Sequence, residues 1–282
     1  MHPDHITIND VGPRDGLQNQ PKLLSKDQRL SLISALVDAK VPEIEVGAFV
    51  SPKAVPAMAG TDELFADLAA SLKNNSSLFS ALIPNMKGFE LAMSAKVPLM
   101  SLVVATSNTM NLKNIRMTTH DSVSVSKDVL KAAKKQGANV QAYVATAWAC
   151  PFEGKISADS VFSITEQLLQ AGASSIVIAD TIGAANPLEV NQLMEAMASR
   201  FDLSQLSCHF HDTRAMGLAN VYAAISAGVR RFDASISCLF FCPFSPFSIV
   251  NFASYFFLMF VQQMLFSTGF DFSLLVNASV LS

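Results

Sequence analysis

The sequence predicts an α/β fold, a (β/α)8 TIM barrel, and three observations predict it. Short β-branched runs alternate with amphipathic stretches along the chain, about 20 to 40 residues apart, as repeated strand–helix units require. Several runs are apolar at consecutive positions, SSIVIAD at 174–180 among them, which suits parallel strands covered on both faces. Polar and ionisable residues gather where the runs end, the rim on which barrels of this kind carry their chemistry. At 282 residues the chain is long enough to be read as one domain spanning 1–282, since such a barrel takes about 250 residues. A doubly wound open sheet is the competing architecture, but no Gly-rich dinucleotide fingerprint follows the first run.

Strands are expected near 6–11, 43–47, 78–83, 98–104, 139–146, 174–180, 206–211 and 232–236. Between them the helix signals are local. Ser25 with Gln28 forms a capping box ahead of a face made by Leu30, Ile33, Leu36 and Val37. Asn186 before Pro187 places a capping residue next to proline at the first helical position, ahead of Leu193, Met194 and Met197. Gly137, Gly172 and Gly228 each follow an amphipathic stretch, where a left-handed residue ends a helix and glycine adopts that conformation most cheaply.

Composition narrows the partners. A net charge of -3 without a Lys/Arg cluster leaves no electrostatic footprint for nucleic acid. Four cysteines are too few and too scattered for a disulfide scaffold, and Cys238 with Cys242 lacks the second pair of a structural zinc site. The N-terminal residues carry neither a basic nor an apolar signal segment, so the expected location is cytoplasmic. The apolar stretch from Phe252 to Phe266 is shorter than the roughly 20 residues a membrane span needs, and Asn251, Gln262 and Gln263 flank or interrupt it. No membrane partner is expected.

The chemistry-bearing residues sit at strand ends. His209 and His211 alternate on one strand, so both imidazoles face the same side. An isolated HxH is more often one buried and one exposed histidine; here the pair ends a strand and precedes Asp212, which favours ligation. With a carboxylate from another strand, the pair makes a mixed N/O site for a divalent ion such as Mg2+ or Mn2+. Asp15 is that carboxylate, beside Arg14 and between Pro13 and Gly16 in a tight turn. A surface ion pair is the plainer reading of Arg14 and Asp15; an electrostatic clamp on developing charge is the functional one. Glu45 lies between Ile44 and Val46 and points inward if they point outward, which is costly unless its carboxylate is paired. Asp180 closes the sixth run, either in the site or as a cap on the next helix.

Five segments together carry a resemblance: GPRDGLQN at 12–19, IEVGAFVSPKAVPAM at 44–58, CPFEGKIS at 150–157, IADTIGAANP at 178–187 and CHFHDTRAMGLAN at 208–220. They resemble the hydroxymethylglutaryl-CoA lyase family, within the metal-dependent barrel superfamily of isopropylmalate and homocitrate synthases. The resemblance runs from about residue 6 to 236 and weakly to 275. It implies a retro-Claisen carbon–carbon lyase that cleaves 3-hydroxy-3-methylglutaryl-CoA to acetyl-CoA and acetoacetate in leucine degradation or ketone-body metabolism. It implies Asp15, His209, His211 and Asn251 as ligands of Mg2+ or Mn2+, and Arg14 as the cation for the enolate. Gln18 joins Arg14 in contacting substrate, Glu45 and Asp180 position polar groups, and Cys242 takes part in proton transfer, with His209 the other candidate. The expected partners are a small-molecule acyl-CoA substrate and a second copy of the chain in a homodimer. A synthase of the same superfamily would need a further C-terminal domain, for which the chain has no room.

One segment departs from the pattern. The family follows its eighth strand with a loop resembling GGLGGCPFxPGASGN, where this chain reads SCLFFCPFSPFSIVN at 237–251. Cys242 and Asn251 keep their register, while the glycines are replaced by Ser, Cys, Phe or Val, residues that do not share glycine's backbone freedom. Gly to Cys, Gly to Val, and Gly to Phe all follow from G-to-T changes, so residues 237–266 read as altered nucleotide sequence. The altered loop raises a second expectation, a metal-binding barrel with impaired turnover. The family's usual end lies about one helix beyond Ser282.

Overall fold

The computed structural model describes residues 5–18, 20–71, 75–236, 254–271 and 273–275. Eight strands close into a parallel barrel: β1 (Thr7–Asp10), β2 (Glu43–Ala48), β3 (Leu78–Leu82), β4 (Leu99–Ala105), β5 (Val140–Ala145), β6 (Ile176–Asp180), β7 (Leu206–Phe210) and β8 (Arg231–Ala234). Each pairs with its sequence neighbours, and β1 closes the ring on β8 with Asn9 opposite Asp233. The eight expected runs agree with these strands to within two residues at each end.

Helices α1 (Lys26–Asp38), α2 (Thr61–Ser71), α3 (Met86–Ser94), α4 (Asn108–Ile115), α5 (Thr119–Gln136), α6 (Ala158–Ala171), α7 (Pro187–Ala198), α8 (Gly217–Ser226) and α9 (Ser254–Gln263) accompany the strands. Strand β4 is followed by two of them, α4 and α5. The expected caps form: Ser25 and Gln28 make both bonds of the capping box, and Asn186 accepts from the Glu189 amide ahead of Pro187. Gly137 and Gly172 end α5 and α6 at φ +66° and +112°. The buried face of α1 is rotated from the expected one. Arg29, Leu32, Ile33 and Leu36 are buried, with Leu30 and Val37 at its flanks, because the Arg29 guanidinium donates to the Ala59 and Val46 carbonyls.

Two layers follow from strand alternation. Outward residues such as Ile8, Ile44, Val46, Cys208 and Phe232 join the helices in one large apolar core. The lumen is polar where such barrels are usually filled by branched aliphatics: Gln141 donates to Ser101, and Arg231 to Glu43. The apolar stretch beyond residue 252 contributes α9, whose Phe257, Leu258 and Val261 are fully buried in the core. Burying each is worth about 1.5–3 kcal/mol. Among the described residues no helix is long and apolar enough to cross a membrane.

Candidate active site

The turn after β1 is wound more tightly than an ordinary loop. Residues Gly12–Gly16 form one π-helical turn in which the amides of Arg14, Asp15 and Gly16 all reach the Val11 carbonyl. It aims Arg14 and Asp15 toward the barrel axis. Arg14 Nε donates to Glu45 Oε2 at 2.6 Å and Nη1 to Asp15 Oδ1 at 2.7 Å. Gln18 Nε2 donates to the same Asp15 oxygen at 3.2 Å, so the structure places Gln18 on the carboxylate. Glu45 reaches the lumen from β2, at a shift in register against β3 between Glu45 and Gly47. Its neighbours Ile44 and Val46 pack outward in the core.

Burial and pairing set the charges. Burial lowers the pKa of Arg14, but Glu45 and Asp15 outweigh it and hold the guanidinium above its ordinary value. Burial pushes Glu45 up to about 7, against the lowering effect of Arg14. The carboxylate of Asp180 at the end of β6 accepts from the backbone amides of Ala184 and Ala185 at 3.0 Å each. Both of its oxygens shape the turn that enters α7, the alternative its sequence position left open; burial raises its pKa against those two bonds.

The two histidines leave β7 side by side. His211 Nδ1 lies 2.6 Å from the Thr181 carbonyl, which only accepts, so this nitrogen carries a proton. His209 Nδ1 lies 2.9 Å from the Asp233 carboxylate. His211 Nε2 is thereby left with its lone pair, and His209 Nε2, on the side of its ring away from Asp233, faces it at 2.9 Å. Two ring nitrogens at that distance share a proton or flank a cation. A divalent ion with donors about 2.1 Å away spaces adjacent donors about 3 Å apart, so the pair fits an ion. Asp15 Oδ2 lies 4.0 Å from His211 Nε2, and one donor atom from each of the three residues falls within 4.8 Å of the others. Burial, then the neighbouring His209, lowers His211 to about 3. For His209 burial also lowers the pKa, but Asp233 and Asp15 outweigh it and raise it.

Cys242 and Asn251 lie outside the described residues. Several groups at the site were not expected. Asp233 on β8 receives His209 and also the Tyr143 hydroxyl at 2.7 Å and the Asn9 amide at 2.9 Å. Asp10 on β1 accepts from the Gly12 amide and the Ser254 hydroxyl, tying the turn to α9. The CPFEGK segment forms a small antiparallel hairpin, Ala149–Cys150 with Gly154–Lys155, and its Glu153 caps α4 through the Thr109 amide. Alternation would have turned Asn9, Tyr143 and Asp233 inward, but it does not say which of them meet.

The HMGL-like family model matches residues 5–239. The chain is 38% identical to a hydroxymethylglutaryl-CoA lyase of Pseudomonas mevalonii, over 98% of this chain and 90% of that one. It is 37% identical to an (R)-citramalyl-CoA lyase of Chloroflexus aurantiacus, over 97% and 89%. The crystal structure of an HMG-CoA lyase from Brucella melitensis superposes with a TM-score of 0.94 at 32% identity, covering 99% of this chain and 97% of that one.

Proposed function

The chain belongs to the HMGL-like family, and on that footing we propose that it is a divalent-metal-dependent lyase cleaving 3-hydroxy-3-methylglutaryl-CoA to acetyl-CoA and acetoacetate. The observation that carries the reading is the convergence of the two Nε2 nitrogens with the Asp15 carboxylate, one residue from a buried arginine. Asp15, His209 and His211 would hold Mg2+ or Mn2+, with Asn251 as the fourth protein ligand. When bound, such an ion polarises the substrate oxygens and acidifies the tertiary hydroxyl.

The side chains supply the rest. Arg14, fixed between Glu45 and Asp15, presents a permanent positive charge to the oxygen that becomes an enolate. The hydroxyl proton leaves to a base, the C–C bond breaks, and its electron pair passes to the departing two-carbon acyl group. The carbinol carbon becomes the ketone of acetoacetate, and protonation of the enolate at carbon gives acetyl-CoA. His209 and Cys242 are the two groups proposed for proton transfer. Gln18 steadies Asp15, and Asp180 shapes the rim.

The test is acetoacetate release from 3-hydroxy-3-methylglutaryl-CoA with Mg2+ or Mn2+, and with chelator. A folded, ion-binding chain that releases none refutes the activity. Citramalyl-CoA is the second substrate to assay, because the Chloroflexus relative is as similar as the Pseudomonas one. The lost glycines at 237–251 favour the impaired-barrel reading for turnover, tested by restoring them. The expected setting is a cytoplasmic homodimer, checked by fractionation and sedimentation.

A further inference from the structure

We infer that Asp233 is a positioning residue for the metal centre: it fixes His209 as the Nδ1-protonated tautomer, so that Nε2 keeps its lone pair for the ion. The inference rests on the proposed function in one respect, that an ion is what Nε2 addresses.

Three donors from three strands converge on this one carboxylate. His209 Nδ1 (β7) and the Tyr143 hydroxyl (β5) meet Oδ2 at 2.9 and 2.7 Å, and the Asn9 amide (β1) meets Oδ1 at 2.9 Å. Asp233 is 4% exposed, so solvent does not supply these bonds. An ionised carboxylate only accepts, and the tyrosine and the asparagine spend their donors on it. The third partner, His209 Nδ1, must therefore donate as well.

The asparagine supplies an independent sign. Asn9 Oδ1 is buried with no hydrogen-bond partner, so the bond its amide makes is the one to Asp233. An orphaned acceptor of this kind is costly in a barrel interior, and it is tolerated here by an amide committed to the carboxylate. Tyr143 also meets the His209 ring edge-on, with centroids 6.2 Å apart at 72°. One shell thus sets both the protonation and the tilt of the imidazole, as carboxylates behind metal-binding histidines do elsewhere.

Selective 15N labelling of histidine in the metal-free chain reports the tautomer directly. At a pH where the ring is neutral, His209 is expected to carry its proton on Nδ1; a neutral ring protonated on Nε2 instead overturns the inference. Mn2+ affinity is then measured by electron paramagnetic resonance in the wild type, Asp233→Asn and Tyr143→Phe. Asp233→Asn preserves shape but removes the charge. It is expected to weaken Mn2+ binding about 10- to 100-fold and to blur the tautomer preference, whereas Tyr143→Phe leaves the preference intact. A folded Asp233→Asn chain with wild-type Mn2+ affinity and an unchanged tautomer overturns the inference. Should that variant fail to fold, the wild-type tautomer decides alone. A wild-type chain that binds no Mn2+ would refute the metal reading, and the tautomer measurement, which needs no ion, would still decide the role of Asp233.

Discussion

Replacing Arg14 by methionine separates the structural duty of this residue from its chemical one. The guanidinium is buried against a carboxylate that is itself fully buried, with Nε–Oε2 at 2.6 Å. Glu45 Oε1 already has no hydrogen-bond partner, so losing Arg14 strips the other oxygen too. Orphaning one member of a buried pair costs about 3–5 kcal/mol. The cost is capped because Glu45, held at about 7 with Arg14 present, moves higher without it and becomes neutral at pH 7. At about 2–4 °C per kcal/mol for a chain of this size, Tm should fall by roughly 6 to 20 °C. Adding Glu45→Met removes the orphan and should recover most of that loss, since apolar replacements of buried ion pairs are often neutral. Turnover should not recover: both variants are expected to lose about 100- to 1000-fold, as when one preorganised donor to developing charge is removed. Thermal unfolding by circular dichroism and an acetoacetate-release assay read the two effects. A single variant with unchanged Tm, or a double variant that regains activity, refutes the reasoning.

Asp10 offers a pH test. Burial raises it from 3.8 to about 6, against the bonds from Ser254 and Gly12. A raised folded pKa contributes stability that is full below about 4 and is lost as pH rises through about 6. That loss is about 3 kcal/mol, and Asp10→Asn should flatten Tm against pH between 4 and 7; an unaltered slope would assign the dependence elsewhere. Gly183 sits at φ +60°, where an added Cβ would run first into the Thr213 hydroxyl and then meet the His211 carbonyl at 2.9 Å. Gly183→Ala should therefore cost more than the about 1–2 kcal/mol of the left-handed conformation alone and weaken Mn2+ binding, and wild-type values for both would show that the rim yields. Chelation or His211→Gln should abolish lyase activity while leaving the far-ultraviolet circular dichroism intact. Restoring glycine at 237, 238, 240, 241, 247 and 250 should raise kcat with Mn2+ affinity unchanged; a constant kcat would remove the loop as the cause of slow turnover.

The reach of the sequence is set by how local each constraint is. Strands such as β4 and β6 were legible as largely apolar runs, the others from their spacing between helix signals, and the helix caps because each is settled within four residues. The pairing of His209 with His211 was legible for the same reason, two positions apart where one strand ends. Asp233 was not, although Phe232 and Ala234 flank it as an inward carboxylate. Its partners lie 24, 90 and 224 residues away, and only closure of the barrel brings β1 beside β8 and sets Asn9 opposite Asp233. The rotation of α1 has a similar origin, since Arg29 is buried by carbonyls of β2 and of the segment before α2 that no helical period records. Alternation along a strand decides which residues enter the lumen, while ring closure decides which of them meet. Chemistry carried by one strand can thus be read residue by residue. A shell assembled from β1, β5, β7 and β8 exists only once the eight strands have closed, and the tautomer of His209 is a property of that closed ring.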